Sequence, residues 1–402
     1  MSRVSDARPY DVVLFGATGF TGGLTAEYLA RHAPPQTRIA LAGRNRGKLE
    51  AVRGRLEQER SGIGLLEADV NGSASMRELA ASTRVAISTV GPYVRYGEAL
   101  VAACAGAGTD YVDLTGEGEF VDRMWLRYHE SARRTGARLV HSCGFDSIPF
   151  DLGVLFTVAQ LPEAVPIHID GFVRASGTFS SGTYHSAINV MGRLAPAARV
   201  ARERRGKEMR PSGRTVQGTA GRPHHDSAQG GWVVPVPTID PQTVLRSARA
   251  LPRYGPEFSY SHYLVVGRLP VLLGMAGAVA AGVALAQLPP TRKALLKLKR
   301  SGEGPTSAQR EKGWFRARFV GHGGGQRVVT EVRGGDPGYG ETSKMLAESA
   351  LCLAQDDLPD RAGQLTPALA MGQALIDRLV AAGIEFRVVD QLHGVDGLRV
   401  VD

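Results

Sequence analysis

The sequence contains little cysteine. Its three cysteines, Cys104, Cys143 and Cys352, are scattered over 402 residues without any paired spacing. This pattern argues against a disulfide framework and against a zinc site, and it fits a reducing compartment. The chain also lacks a charged-then-apolar leader before its first predicted strand. We therefore expect a cytoplasmic protein rather than a secreted one.

Several catalytic signatures are missing as well. None of the eleven tyrosines is followed by lysine at the fourth position, although that pair donates the proton in short-chain dehydrogenases. Neither the Gly-x-Ser-x-Gly elbow of hydrolases nor the His-Glu-x-x-His motif of metalloproteases occurs. His224, His225 and Asp226 are adjacent, but their basic surroundings favour a flexible loop. We expect no metal site.

The charge of the chain is strongly positive. The net charge is +9 at pH 7, and the excess is concentrated at 193–214 and 292–300. Such runs are typical either of solvated helix faces or of surfaces that attract an anionic partner. No aromatic residues alternate with these charges and no reading motif is present, so we exclude nucleic acid. A membrane surface and an acidic carrier protein remain candidate partners.

Short apolar runs alternate with helical stretches through the first third of the chain. This spacing predicts right-handed crossovers and a mainly parallel sheet. The predicted fold class is therefore α/β, with an N-terminal Rossmann-type, doubly wound domain over residues 1–150. The strands that we predict there are 11–15, 38–42, 64–70, 85–90, 111–114 and 138–142.

The pattern changes after residue 150. Residues 165–185 have the composition of strands broken by Gly and Ser, and 328–334 that of another strand. We assign residues 151–340 to a second, α+β domain for substrate binding or dimerisation. Residues 341–402 form a C-terminal unit whose helices pack back on the core. Its predicted elements are helices over 341–355 and 367–382 and a strand over 386–389, which extends either sheet.

A glycine motif follows the first predicted strand and opens a helix. Gly16 makes the tight turn, Gly19 lets the backbone approach a pyrophosphate, and Gly22 permits close packing of helix on strand. The phosphates then lie at the helix N-terminus, where unpaired N–H groups favour negative charge. The other residues of the predicted binding loop are Thr18, Phe20 and Thr21.

The end of the second strand indicates which dinucleotide binds. An NAD-specific site places Asp or Glu here, whereas this strand ends in Gly43, Arg44 and Asn45. Arg44 can present a planar fork to a 2′-phosphate, and Gly43 leaves room for it. The predicted cofactor is therefore NADP(H). Further predicted contacts, beside the adenine and along the nicotinamide half, are Asp69, Val70, Val90, Gly91 and Pro92.

Residues 269–291 form an uncharged run of 23 residues with six Ala and three Gly. The length suffices to cross a bilayer, but Ala and Gly contribute little favourable transfer energy. Three interpretations of the apolar segment 269–288 stay open: a buried helix or domain contact, an interfacial membrane helix anchored by the basic run after it, and a true span. The second would make the protein peripheral on the inner face of the plasma membrane.

Eight motifs together resemble the saccharopine-dehydrogenase-like family, and specifically its trans-acting enoyl reductase branch. The resemblance implies an oxidoreductase that reduces carbon–carbon double bonds during assembly of polyketide-derived cell-envelope lipids and glycolipids. It also implies an acyl or lipid substrate presented in trans by a carrier protein or polyketide synthase. The motifs are GATGFTG at 16–22, AGRN at 42–45, STVGPY at 88–93, YVDLTGE at 111–117, HSCGFDSIPFDLG at 141–153, SSGTYHS at 180–186, GYGETSKMLAESALCLA at 338–354 and LTPALAMG at 365–372.

Enoyl reduction needs hydride at the β-carbon, a proton at the α-carbon, and donors for the enolate that forms between them. Candidate donors are Tyr93, Tyr184, His185 and the backbone of residues 180–183, and Asp146 lies where ligands of a doubly wound sheet collect. Each side chain has a packing alternative: Tyr93 in the core, Tyr184 and His185 between domains, and Asp146 in a turn or helix cap. A water or the bound substrate could also supply the proton.

Three functions fit these observations. The first is an NADPH-dependent enoyl reductase. The second is an amino-acid oxidoreductase of the saccharopine dehydrogenase type, which would need Arg or Lys contacts for carboxylates, and the stretch 176–183 offers few. The third is a non-catalytic NADP-binding, lipid-associated protein, because a fold alone does not fix function. A homodimer is compatible with each.

Overall fold

The first of two sheets carries the alternating strands predicted from the sequence. The computed structural model describes residues 8–176, 181–209, 211–298 and 305–393 (for 181–183 and 391–393 the backbone only). The strands of the first third are β1 (Tyr10–Phe15), β2 (Ile39–Gly43), β3 (Gly64–Glu67), β4 (Thr83–Ser88), β5 (Asp110–Asp113) and β6 (Arg138–Val140). The helices between them are α1 (Phe20–His32), α2 (Arg46–Leu56), α3 (Ser73–Ser82), α4 (Tyr93–Tyr96), α5 (Glu98–Ala107) and α6 (Gly118–Thr135).

Strand β1 shows why this sheet needs apolar runs. Val12 and Leu14 belong to one buried cluster, and Val13 and Phe15 to a second one. Successive side chains of a strand point to opposite faces, so a sheet covered on both sides requires apolar residues at every position. The strands pair in parallel in the order β6, β5, β4, β1, β2, β3. The predicted Rossmann-type, doubly wound fold is confirmed.

The second sheet is mixed and contains most of the remaining strands. Its elements and their neighbours are α7 (Ile148–Ala159), β7 (Ile167–Ser176), α8 (Ser181–Met191), α9 (Leu194–Lys207), β8 (Thr215–Gly218), β9 (His224–Asp226), β10 (Gly231–Pro235), α10 (Asp240–Ala250), a 3-10 turn (Pro252–Tyr254), β11 (Glu257–Val266), α11 (Leu269–Gln287), α12 (Pro289–Lys297), α13 (Ser307–Arg310), β12 (Trp314–Gly323) and β13 (Gln326–Gly334). The C-terminal elements are α14 (Gly340–Gln355), β14 (Gly363–Leu365), α15 (Pro367–Ala370), α16 (Gly372–Ala381) and β15 (Glu385–His393).

The strand order of the second sheet is β15, β13, β12, β7, β11, β10, β9, and β8 pairs with β11. Helix α7 packs on this sheet closely. A Cβ added at Gly153 would lie 2.3 Å from the Phe319 ring, so a larger residue at this position would displace α7 from β12. Helix α7 follows β6 of the first sheet after a short loop and thereby joins the two sheets.

The C-terminal part returns to the first sheet, with one strand that the sequence did not predict. Strand β14 pairs in parallel with β6, with Gly363 opposite Arg138, and is the seventh strand of the first sheet. Helix α14 packs beside α1, where the Tyr28 hydroxyl donates to Glu348 over 2.7 Å. The final strand is longer than predicted, and it pairs with β13 in the second sheet.

Two further predictions differ from the structure. Strand β7 ends at Ser176, and residues 181–191 form helix α8, so the expected strands over 165–185 are correct only in their first half. The predicted helix over 367–382 is divided at Met371 into α15 and α16. The sequence of α8 lacks the hydrophobic periodicity that predicts a helix. In the structure, contacts with α12 hold α8 in place.

Candidate functional site

The glycine motif forms the cradle that the sequence predicted. Gly16 has a φ of +94°, and a Cβ there would lie 2.6 Å from the Thr89 hydroxyl. A Cβ at Gly22 would lie 2.1 Å from the Gly16 carbonyl oxygen. Position 16 therefore requires glycine because of its positive φ and because a side chain would not fit. Position 22 requires glycine because α1 approaches the turn closely there.

The N-terminus of α1 is open to an anion. Gly19 is its N-cap, no side chain caps it within the described part of the chain, and no acidic residue lies in its first turn. Thr18 and Gly19 are exposed, and Thr21 is half-buried. The Phe20 ring packs edge-on against Tyr339 with centroids 5.0 Å apart. Unpaired N–H groups and the helix dipole make this end fit the pyrophosphate of a dinucleotide.

Positive charge collects at the end of β2. Arg44 is exposed, and within the described residues no hydrogen bond or ion pair engages its side chain. Arg46, by contrast, is paired with Glu50, and the Asn45 side chain caps α2 by accepting from the Lys48 N–H. The free guanidinium of Arg44 fits a 2′-phosphate. At Gly43 a Cβ would make ordinary contact with Leu49, at 3.6 Å, so space alone does not require glycine there.

The other predicted cofactor contacts lie at the same edge of the sheet. The Asp69 carboxylate accepts from the Asn71 N–H in a tight turn, which is why β3 ends before residue 70. Asp69 and Val70 are half-buried. The Val90 side chain lies against Gly16, and Gly91 and Pro92 continue the loop after β4. The ends of β1 and β4 lie side by side at the point where the strand order reverses. Doubly wound sheets bind dinucleotides at this point.

Tyr93 belongs to the core rather than to the cofactor surface. It is 5% exposed, its hydroxyl donates to the Ser88 carbonyl over 3.0 Å, and the same hydroxyl accepts from the Leu114 N–H over 3.3 Å. These contacts favour the packing alternative over a role as proton donor, because the hydroxyl is already engaged on both sides.

Glu117 is a functional candidate that the sequence prediction did not single out. Its carboxylate accepts from the backbone N–H groups of Tyr93 and Val94, over 3.0 and 2.8 Å, and from the Ser186 hydroxyl. The side chain is buried, and burial raises the pKa of its carboxyl. Glu117 thus joins the ends of β4 and β5 to helix α8. The motif YVDLTGE contains it, but only the tertiary structure reveals its partners.

Asp146 lies in the loop after β6, near the loop that follows β5 and near the first residue of α10. Its Oδ2 would be 3.1 Å from a Cβ at Gly116, and its charge acts on Tyr93 and on the buried Asp240. The side chain reaches solvent, yet protein atoms crowd around it and desolvation raises the pKa of its carboxyl to about 6. A carboxylic acid with such a pKa can hold and release a proton near neutral pH.

Tyr184 and His185 contact helix α12. The Tyr184 hydroxyl donates to the Leu295 carbonyl over 3.1 Å, and the His185 Nε2 lies 3.0 Å from the Leu296 carbonyl. Both residues therefore hold the last turn of α12 against α8, which fits their packing alternative. Of the predicted donor turn, residue 180 lies outside the described residues, and 181–183 belong to α8.

No cluster of three or more His, Cys, Asp or Glu side chains that could hold a metal occurs among the described residues. His224, His225 and Asp226 form the edge strand β9 and face outward for the most part. The flexible loop expected there is thus a short strand that pairs with β10.

Comparison with known proteins identifies the same domain. Residues 12–140 match the family described as the NADP-binding domain of saccharopine dehydrogenase, which confirms the predicted cofactor. A Mycobacterium tuberculosis protein named provisionally as a trans-acting enoyl reductase is 39% identical over 410 residues, covering 94% of this chain and 97% of its own. The trans-acting enoyl reductase of Mycobacterium ulcerans is 35% identical over 431 residues, covering 94% and 98%.

The fold also has a solved counterpart. The apo saccharopine dehydrogenase (L-Glu forming) of Saccharomyces cerevisiae superposes with a TM-score of 0.54 at 13% identity, covering 95% of this chain and 100% of that one. At this identity the likeness concerns the fold alone.

Proposed function

We propose that this chain reduces the carbon–carbon double bond of an acyl intermediate of the lipid or polyketide type. The chain belongs to the family of the trans-acting enoyl reductases and is an NADP-dependent oxidoreductase. The observation that carries the proposal is the arrangement at one sheet edge: a cradle for NADP phosphates at Gly16–Gly22 and Arg44, and an accessible carboxyl with a raised pKa at Asp146.

When bound in this cradle, NADPH would supply the hydride that the β-carbon of the conjugated double bond requires. The electron pair of that bond then moves toward the carbonyl, and the α-carbon takes up a proton. We assign this proton to the Asp146 carboxyl, because it is exposed and lies beside the loop that follows β5. The products are a saturated acyl group and NADP⁺, and Asp146 regains its proton from solvent.

The surroundings of Asp146 favour an uncharged reacting group. Its identified neighbours include the buried carboxyl of Asp240, whose pKa is also raised by burial. A substrate carboxylate would meet these acids instead of the Arg or Lys side chains that normally bind it. This argues for a thioester or similar acyl group over the amino-acid substrates of the alternative hypothesis.

We further propose a setting for the reaction. The basic side chains of α9 and α12, together with the exposed apolar helix α11, support a substrate that is presented by an acidic carrier protein or at the inner face of the plasma membrane. Lipid or glycolipid biosynthesis follows as the proposed process. The second sheet is the proposed place of contact in a homodimer.

A substrate panel tests the proposal. The protein is mixed with NADPH and, separately, with 2-enoyl, 3-oxoacyl and saturated acyl thioesters of coenzyme A or a carrier protein, and NADPH absorbance is followed. We expect oxidation with the 2-enoyl thioesters only, and its loss in Asp146→Asn. Oxidation of amino acids with NADP⁺, or binding of NADPH without turnover on any thioester, would contradict it.

A further inference from the structure

Helix α11 is an apolar helix whose residues are almost all unburied, although it contacts α8 and α12. It has 19 residues and a mean hydropathy of 2.1, and Ala286 is its one buried residue. The large exposed side chains along it include Val271, Leu273 and Val279, with exposures of 51%, 63% and 52%. Helix α11 is therefore not buried in the described structure, and of the first interpretation only a domain contact stays open. An exposed apolar surface of this size normally marks an interaction site.

Every face of the middle part of the helix is exposed. Residues 273–281 are exposed without interruption, and nine consecutive residues make more than two full turns. A protein groove would cover one face and leave the opposite face polar, as in an amphipathic helix. Hydrocarbon surrounds a helix on several sides and matches this pattern better than a second protein surface does.

The topology of the chain excludes a single crossing of a bilayer. Helix α11 follows β11 and precedes α12 and β12, and β11 and β12 both pair with β7 in one sheet. The two flanks of α11 therefore lie in the same folded body and on the same side of any membrane. Its C-terminal end is also tied down, because the Gln287 side chain donates to the Met191 carbonyl over 2.7 Å.

Positive charge lies beside the apolar helix. Arg268 precedes it as the N-cap, and Lys293 and Lys297 on α12 are exposed. Tyr184 and His185 hold the end of α12 to α8, so these lysines are fixed relative to α11. Lysines near a membrane surface attract anionic lipids, while an apolar helix inserts among the acyl chains.

We propose that α11 embeds in one leaflet of an anionic lipid bilayer, parallel to its plane, and that the lysines of α12 contact the lipid headgroups. The occupant of this surface is thus a lipid membrane rather than a second copy of the chain. The insertion does not depend on the proposed reaction, so lipid binding can be tested without turnover.

The first test compares two matched substitutions. Val279 on α11 and Val380 on α16 are 52% and 49% exposed, so Val279→Asp and Val380→Asp place the same charge at equally accessible sites. Each protein is floated with phosphatidylcholine vesicles and with vesicles that contain about one-third phosphatidylglycerol. We expect wild type and Val380→Asp to float with the anionic vesicles. The affinity of Val279→Asp for these vesicles should be lower by about tenfold or more.

Unchanged NADPH affinity and melting temperature in both variants show that folding is intact. Equal flotation of the two variants, or no flotation of the wild type with either vesicle, would overturn the proposal. Lys293→Glu combined with Lys297→Glu is expected to weaken binding to the anionic vesicles specifically.

A site-specific probe separates lipid from protein partners. Cys104, Cys143 and Cys352 are each 0% exposed, so an environment-sensitive dye on Val279→Cys labels α11 selectively. Anionic vesicles should shift its emission to the blue and make it accessible to a lipid-borne quencher. A blue-shifted dye in the absence of lipid, together with a dimer in light scattering that persists with vesicles, would assign this surface to a second copy instead.

Discussion

The Ser186 hydroxyl donates a hydrogen bond to Glu117 Oε1 over 3.1 Å, and this contact ties helix α8 to the ends of strands β4 and β5. The same helix holds α12 through Tyr184 and His185. Helix α8 thus connects the cofactor domain with the segment that carries α11. The predicted catalytic residues Tyr184 and His185 serve this connection in the structure, and Glu117 is its anchor on the other side.

We expect Glu117 and Ser186 to be energetically coupled. Glu117→Ala removes the acceptor of the buried Tyr93 N–H and the half-buried Val94 N–H and should lower the free energy of unfolding by about 1–3 kcal/mol, whereas Ser186→Ala should cost about 0.5–1.5 kcal/mol. In urea unfolding, the double variant should be more stable than the sum of the two losses predicts, by roughly 0.5–1 kcal/mol. Strict additivity would show that the contact does not form in solution.

Adjacent glycines of α1 should respond in opposite ways to alanine. In Gly22→Ala the new Cβ meets the Gly16 carbonyl oxygen, which should destabilise the protein by about 1–3 kcal/mol and abolish NADPH binding. At Gly23 the nearest atom is 4.0 Å away, and Gly23→Ala should be neutral or stabilise α1 by up to about 1 kcal/mol. Thermal unfolding and NADPH fluorescence measure both. Similar behaviour of the two variants would contradict the cradle geometry.

Arg44 should determine the preference for NADPH over NADH. Arg44→Ala removes a charge-assisted contact with the 2′-phosphate, so the Kd for NADPH should rise about 10- to 100-fold, with little change for NADH. Arg55→Ala at the far end of α2 is the control and should leave both affinities unchanged. An equal loss of affinity for NADPH and NADH would show that Arg44 does not bind the 2′-phosphate.

Asp146 should give the reaction a characteristic pH dependence. Desolvation raises the pKa of its carboxyl from 3.8 to about 6, so the protonated form predominates below pH 6 and falls tenfold per unit above it. The rate of the chemical step should decline in the same range. Asp146→Asn should reduce kcat by about 10²- to 10⁴-fold without changing the Kd for NADPH, and Asp360→Asn on the surface should change neither.

The same raised pKa has a consequence for stability. Because the folded state favours the protonated carboxyl, the stabilising contribution of Asp146 is complete below pH 3.8 and is lost as pH rises through 6. The melting temperature of Asp146→Asn relative to wild type should therefore increase between pH 4 and pH 7. A constant difference across this range would mean that the carboxyl titrates normally.

The cofactor domain could be predicted from the sequence because its signals are local. Apolar runs such as DVVLF, the three-glycine motif and the missing acid after β2 each concern neighbouring residues, and the structure places β1, β2 and β4 within a few residues of the predicted bounds. Strand β14 was missed for the opposite reason. It has three residues in a stretch rich in Pro, Asp and Gly, and it is a strand because β6 offers a free edge.

Side-chain roles were harder to predict than elements. Tyr93 and Asp146 both follow a strand of the first sheet by a few residues, yet Tyr93 is buried in the core and Asp146 is exposed. The direction of each side chain depends on contacts with distant residues such as Leu114 and Gly116. Glu117 was overlooked because its partners, Tyr93, Val94 and Ser186, are far from it in the sequence.

Transfer of deuterium from NADPH labelled on the nicotinamide ring is the most direct test of enoyl reduction. The purified protein is incubated with the labelled cofactor and a 2-enoyl thioester in ordinary water, and the acyl product is analysed by mass spectrometry and NMR. We predict one deuterium on the β-carbon and one solvent proton on the α-carbon, with one NADPH consumed for each saturated acyl group formed. An acyl group that remains unsaturated and unlabelled while the protein binds NADPH normally would contradict the proposed function.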